Sequence, residues 1–142
     1  MRELEFRGLD INGEEWHYGL LAVMKKGWFI SNSAGSSPFA YQVKPETVGQ
    51  YIGIKDIDKV KIYEGDCVAS RKKDIIHEII YREDHARFMF KDFICNINMY
   101  QEAIDEHGFK VAGNVHQNPE LAKENKKIRM KTWKEHNNKF RI

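Results

Sequence analysis

Two acidic side chains on either side of a single glycine are the first candidates for chemistry in this sequence. Glu64 and Asp66 flank Gly65, and on an extended chain residues two apart share a face. Carboxylates held that close can raise one pKa for acid–base work, or grip a cation between them. The competing reading is structural: Asp66 accepts hydrogen bonds from the backbone of its own turn while Glu64 stays in water. The structural reading is the stronger, because no further member of a catalytic set stands near the pair.

The six histidines, at positions 17, 77, 85, 107, 116 and 136, supply no such set. His77-Glu78 begins like a zinc-protease motif, which requires a second histidine four residues after the first, where Tyr81 stands. Ile75 to Tyr81 also reads as a strand, which would not bring ligands onto one helical face. Glu14, Glu15 and His17 crowd a hairpin, where exposed polar side chains are ordinary. No G-x-S-x-G, P-loop or dinucleotide fingerprint is present, and Gly49 and Gly53 lie far from any helix start that could cradle phosphate. The sequence therefore predicts a non-enzyme with no catalytic residue, no metal site and no small-molecule cofactor.

Cys67 and Cys95 form no C-x-x-C pair and have no histidine at ligand spacing. Each has an apolar neighbour (Val68; Ile94), which predicts buried free thiols. A disulfide would need an oxidising compartment that nothing else supports.

The net charge of +2 over 142 residues conceals a division. Residues 123–142 hold eight cations, among them Lys126, Lys127, Arg129 and Lys131, against Glu124 and Glu135, for a net +6. The first 122 residues hold fifteen cations against nineteen anions, a net −4. Such polarity bears on partners rather than on fold. The basic segment could contact phosphates while Trp133 and Phe140 stack on bases. It could equally pack on the acidic body of a neighbouring subunit.

The elements that must position these groups are short and extended. Leu4, Phe6 and Leu9 roughly alternate before Asn12-Gly13, a hairpin signal because both residues tolerate positive φ. Trp16, Tyr18, Leu20 and Ala22 alternate on the return strand. A turn at Lys25-Lys26-Gly27 leads to a strand at Trp28–Ile30, and residues 31–37 read as a polar loop. Phe39, Tyr41 and Val43 resume period-two alternation, and Pro45–Val48 starts a short helical turn. Lys61–Tyr63 and Cys67–Ala69 are strands around the Glu64-Gly65-Asp66 turn. Ile75–Tyr81 and Arg87–Lys91 form a hairpin. Asn98–His107 reads as a helix stopped by Gly108, and Phe109–Ala112 as a strand. Asn118-Pro119-Glu120 starts a further helix, with asparagine as cap.

With a 42% apolar composition and no apolar run long enough to span a bilayer, the chain reads as a single soluble domain. Met1 to Arg7 lack the apolar run of a secretory signal, so a cytoplasmic location is expected. Many short strands between close turns predict a mainly β, SH3-like barrel of antiparallel strands over residues 1–121. A basic helical extension or tail over 122–142 follows.

Three blocks of sequence resemble the YopX family of phage and prophage proteins. The first block is Phe6-Arg7. The second runs from Glu46 through Thr47, Gly49, Gln50 and Gly53 to Asp56, and then from Lys61 through Tyr63, Glu64 and Gly65 to Asp66. The third holds Val111, Gly113, Asn114 and Asn118-Pro119-Glu120-Leu121. One position departs: Lys59 stands where the family carries a glycine-containing turn, which puts a positive φ there in doubt. The resemblance implies a mainly β, SH3-like fold, carriage by a mobile element in a bacterial cell, and no assigned activity. From these readings an accessory interaction protein is expected, binding a protein partner or itself. Nucleic-acid binding through the basic tail is the alternative.

Overall fold

The computed structural model describes residues 2–13, 15–31, 40–71, 76–91 and 99–121. The expectations for Cys95, for residues 32–37 of the polar loop, and for the basic tail with Trp133 lie outside them.

Ten strands, one 3-10 turn and one short helix make up the described chain. The strands are β1 (Phe6–Leu9), β2 (Trp16–Met24), β3 (Gly27–Ser31), β4 (Ala40–Val43), β5 (Gly49–Lys55) and β6 (Lys61–Tyr63). They continue with β7 (Asp66–Ala69), β8 (Ile76–Arg82), β9 (Arg87–Phe90) and β10 (Lys110–Asn114). The 3-10 turn is Pro45–Thr47, and α1 spans Gln101–His107. The expected mainly β, antiparallel character holds. The strands divide between two sheets, ordered β4-β3-β2-β1-β5-β6 and β10-β7-β8-β9. Both sheets are ordered as open arrays, and an isolated bridge, Asp10↔Val43, returns the end of β4 to the residue that follows β1.

Turn chemistry sets the first sheet. Gly13 takes φ +77°, and its N–H donates to the Asp10 carbonyl at 2.8 Å, closing the β1–β2 connection. Strand β1 then pairs with β2 over four residues, Phe6↔Gly19 to Leu9↔Trp16, but with β5 over only two, Phe6↔Gln50 and Arg7↔Gly49. Thr47 ties the 3-10 turn to β1. Its hydroxyl accepts from Leu9 N–H at 3.0 Å and donates to the Lys44 carbonyl at 2.7 Å.

The main core lies where the second sheet meets β5, β6 and α1. Ile62, Val68, Ile79, Phe90, Ile104 and Phe109 are buried together, with Ile52, Ile54, Met99 and Val111 against them. Burying side chains of this size stabilises by roughly 1.5–3 kcal/mol each. Helix α1 is too short to be stable alone. It holds because Ile104 is buried and because Gln101 pairs with β5 like a neighbouring strand. The Gln101 side chain accepts from Lys55 N–H at 3.0 Å and donates to the Lys55 carbonyl at 2.7 Å. Gly108 ends it at φ +65°, as expected, although the helix starts at Gln101 rather than near Asn98.

Candidate functional site

Three motif carboxylate and amide side chains act as backbone staples. Asp56 Oδ1 accepts from the N–H groups of Asp58 and Val60 at 2.8 and 2.9 Å, while its Oδ2 accepts from Val111 N–H at 3.1 Å. One buried carboxylate thus fixes the β5–β6 turn and ties it to β10. That turn carries Lys59 at φ +64°. The left-handed conformation put in doubt by the missing glycine is therefore present. The Asp56 hydrogen bonds, together with Lys59 N–H donating to the Asp56 carbonyl at 2.9 Å, hold it in place. Asn114 does the same work beyond β10. Its side-chain oxygen accepts from His116 and Gln117 N–H at 3.1 and 2.9 Å, and its own N–H donates to Asn118 Oδ1 at 3.3 Å.

Asp66 fulfils its structural reading and adds a partner that sequence reasoning missed. Its Oδ2 accepts from Tyr63 N–H at 2.8 Å, closing the turn in which Gly65 takes φ +93°. Its Oδ1 lies 2.8 Å from Arg7 Nη2. This ion pair is close but off-line for a hydrogen bond, and Arg7 Nε and Nη2 are buried without a hydrogen-bond acceptor among the described residues. Trp16 and Tyr63 cover the guanidinium, their ring centroids 4.4 and 4.9 Å from its carbon. Burial pushes the Asp66 carboxyl above its ordinary range, against the pull of Arg7. The only sequence signal for this arrangement was the Phe6-Arg7 pair.

Above the pair lies a cleft of about 470 Å³ walled by Trp16, Tyr18 and Tyr63. Gly113 and Asn114 line its far side. Tyr63 O–H donates to Glu5 Oε1, and Lys61 Nζ binds Glu5 at 3.0 Å and Glu3 at 2.7 Å along the rim. Burial, with the Glu5 carboxylate second, raises the Tyr63 phenol well above its ordinary range.

Glu64 differs from the expectation that it stays in water. It is half-buried and opens into a second cleft, of about 640 Å³, between the two sheets. Burial raises its carboxyl, partly offset by a hydrogen bond from the Gln50 backbone. Gly49 allows this approach, since a Cβ there would collide with the Glu64 carbonyl. Glu64 and Asp66 therefore face different clefts and form no acid–base or cation-holding pair. Gly53 takes φ +90° in β5 with open space beside it.

The remaining described candidates lie outside the residues that line these two clefts. His77 is buried in β8 against Phe90 and Phe109. His17 stacks on Tyr41, with ring centroids 3.9 Å apart, and stands 3.8 Å from Asp10. Asp10, Glu15 and His17 bring one ligand-type atom each within 4.8 Å of one another on the β1–β2 hairpin. Cys67 is a buried free thiol, as expected, and burial pushes it up to about 11. Pro119 follows Asn118 in helical backbone over residues 119–121.

Two antiparallel sheets stapled by buried motif side chains define a mainly β protein with two side-chain-lined clefts. The chain belongs to the YopX family: the model described as "YopX protein" matches residues 5–123. A solved structure, that of protein EF1440 from Enterococcus faecalis, is similar at 22% identity and a TM-score of 0.58. The match covers 85% of this chain and 99% of that one, and shows a shared fold. No curated protein matches.

Proposed function

We propose that the chain is a non-enzymatic interaction module that binds a protein partner or a second copy of itself through the outer face of β2. One observation carries this reading. Tyr18, Leu20 and Met24 alternate onto one face of a single strand, and are 46%, 51% and 57% exposed. Val23, on the opposite face, is 60% exposed. Scattered apolar residues are normal on a surface, but a continuous apolar strand face favours a partner. At its inner end the face runs into the aromatic cleft over Arg7, which offers pockets of the kind that anchor an interface. An SH3-like barrel, carriage by a phage or prophage, and a cytoplasmic location in the bacterial host belong to the same reading. Among the described residues no helix is long and apolar enough to cross a membrane.

The test pairs light scattering with cross-linked capture from infected host cells, comparing the native chain with Leu20→Glu/Met24→Glu. The reading expects either a mass above 16.7 kDa or a specific captured partner, lost in the variant. Assembly and capture that are both indifferent to the substitutions would refute it. The alternative, nucleic-acid binding through the tail, is supported by the net +6 of residues 123–142. Replacing Lys126, Lys127, Arg129 and Lys131 with Glu tests that alternative directly.

A further inference from the structure

We propose that the cleft between the two sheets is a binding site for single-stranded nucleic acid, separate from both the β2 face and the basic tail. The floor comes from the first sheet and its turns: Phe6 of β1, Leu21 of β2, Trp28 of β3, and the motif residues Gln50 and Glu64. The opposite wall comes from the β8–β9 hairpin, through Tyr81, Arg87 and Phe88, and Arg2 completes the rim.

The distribution of chemistry over depth identifies the ligand. Arg2, Tyr81 and Arg87 are exposed at the rim, whereas Trp28, Gln50, Glu64 and Phe88 are half-buried below. Neither Arg2 nor Arg87 is in an ion pair among the described residues, so both cations are available to an incoming anion. Flat rings beneath them suit a planar apolar group, since every base offers a π-face. A carboxyl (Glu64) and a carboxamide (Gln50) line the same cleft, and match the amino and carbonyl groups on a base edge. A ligand anionic outside, flat inside and polar along one edge is a nucleotide unit. It must come from a single strand, because a base in a duplex is stacked and has its pairing edge occupied.

The motif explains how this floor is built. Gly49 lets β5 run against the Glu64 carbonyl, and Glu64 N–H donates to the Gln50 carbonyl at 3.0 Å. The backbones of the two residues are thereby held side by side, although they stand in separate halves of the second block. A peptide partner would leave the rim cations unmatched unless it were acidic, and would make poor use of the flat rings that line the cleft.

The experiment is an anisotropy titration of the full chain with fluorescein-labelled dT12, dA12 and dC12 and with a 12-base-pair duplex. The native chain is compared with Arg2→Glu/Arg87→Glu, with Tyr81→Ala, and with the tail variant described above. All the altered side chains with described structure are exposed, and circular dichroism verifies their folding. Saturable binding of the single strands is expected, with the duplex weaker. The arginine variant should bind at least about tenfold more weakly, with a salt slope shallower by about 1.4 for two lost phosphate contacts. Tyr81→Ala should lose about tenfold through stacking. Three results would each overturn the site: no saturable binding, affinity unchanged in the arginine variant, or affinity lost only in the tail variant. Equal binding of duplex would overturn single-strand selectivity. Leu20→Glu/Met24→Glu should leave oligonucleotide affinity unaltered, so failure of this site and failure of the β2 interface are read independently.

Discussion

Arg7 Nη2 lies 2.8 Å from Asp66 Oδ1, and the two side chains are only 7% and 2% exposed. The arginine comes from the centre of the six-stranded sheet and the aspartate from the start of the other sheet, so one ion pair joins the two layers. Trp16 and Tyr63 shield its faces. A buried pair of this sort adds little net stability over apolar replacements, but removing one partner strands the other charge.

Arg7→Met should therefore destabilise the fold by about 3–5 kcal/mol. The double variant Arg7→Met/Asp66→Asn should recover part of that loss, because no uncompensated carboxylate remains. Urea unfolding midpoints of the two single variants and the double variant measure the coupling. Strict additivity would contradict the account.

Gly49 should tolerate no side chain. A Cβ there meets the Glu64 carbonyl, which belongs to backbone already hydrogen-bonded to Gln50. Gly49→Ala is expected to cost about 2 kcal/mol or more through forced backbone displacement. Thermal unfolding checks it.

Lys59 offers the opposite outcome. Its φ of +64° costs an L-residue about 1–2 kcal/mol, of which the greater freedom of glycine in the unfolded chain returns about half. Lys59→Gly should thus stabilise by about 0.5–1 kcal/mol, seen as a rise of a few degrees in Tm. The native lysine is tolerated because Asp56 supplies the hydrogen bonds that hold the turn.

Alkaline conditions should weaken the fold. The Cys67 thiol is pushed from 9.0 up to about 11 by burial, so the folded chain keeps its proton while the unfolded chain loses it. Its stabilising contribution is intact below pH 9 and declines with a slope of about 1.4 kcal/mol per pH unit until about 11. Tyr63, raised in the same sense, steepens the loss above its ordinary value of 10.0. Denaturation midpoints from pH 8 to 10.5 should show the decline, and Cys67→Ala should flatten its lower part.

Local chemistry was legible in the sequence wherever a turn dictated it. Asn12-Gly13, Glu64-Gly65-Asp66 and Gly108 each announced a reversal that the backbone makes. Asp66 has the local setting of a turn aspartate, and it is one. What stayed hidden depends on pairing between distant residues. Nothing in the local pattern around Arg7 says that Trp16 and Tyr63 will cover it, or that Glu64 will leave water for an inter-sheet cleft. The same limit explains the two sheets, since strand length and alternation do not specify which edges pair. Lys59 misled because the missing glycine was visible, whereas the compensating reach of Asp56 to Asp58, Val60 and Val111 was not.

The two-residue junction between β1 and β5 has a mechanical meaning. Strands β1 to β4 form a meander whose ladder hydrogen bonds to the rest of the molecule are few, so that ribbon can open as one cooperative unit while the Ile62–Phe109 core stays shut. Amide protons of β2 and β3 should accordingly exchange together and earlier than those of β7 and β8. Arg7, riveting the seam from inside, sets how often the ribbon lifts.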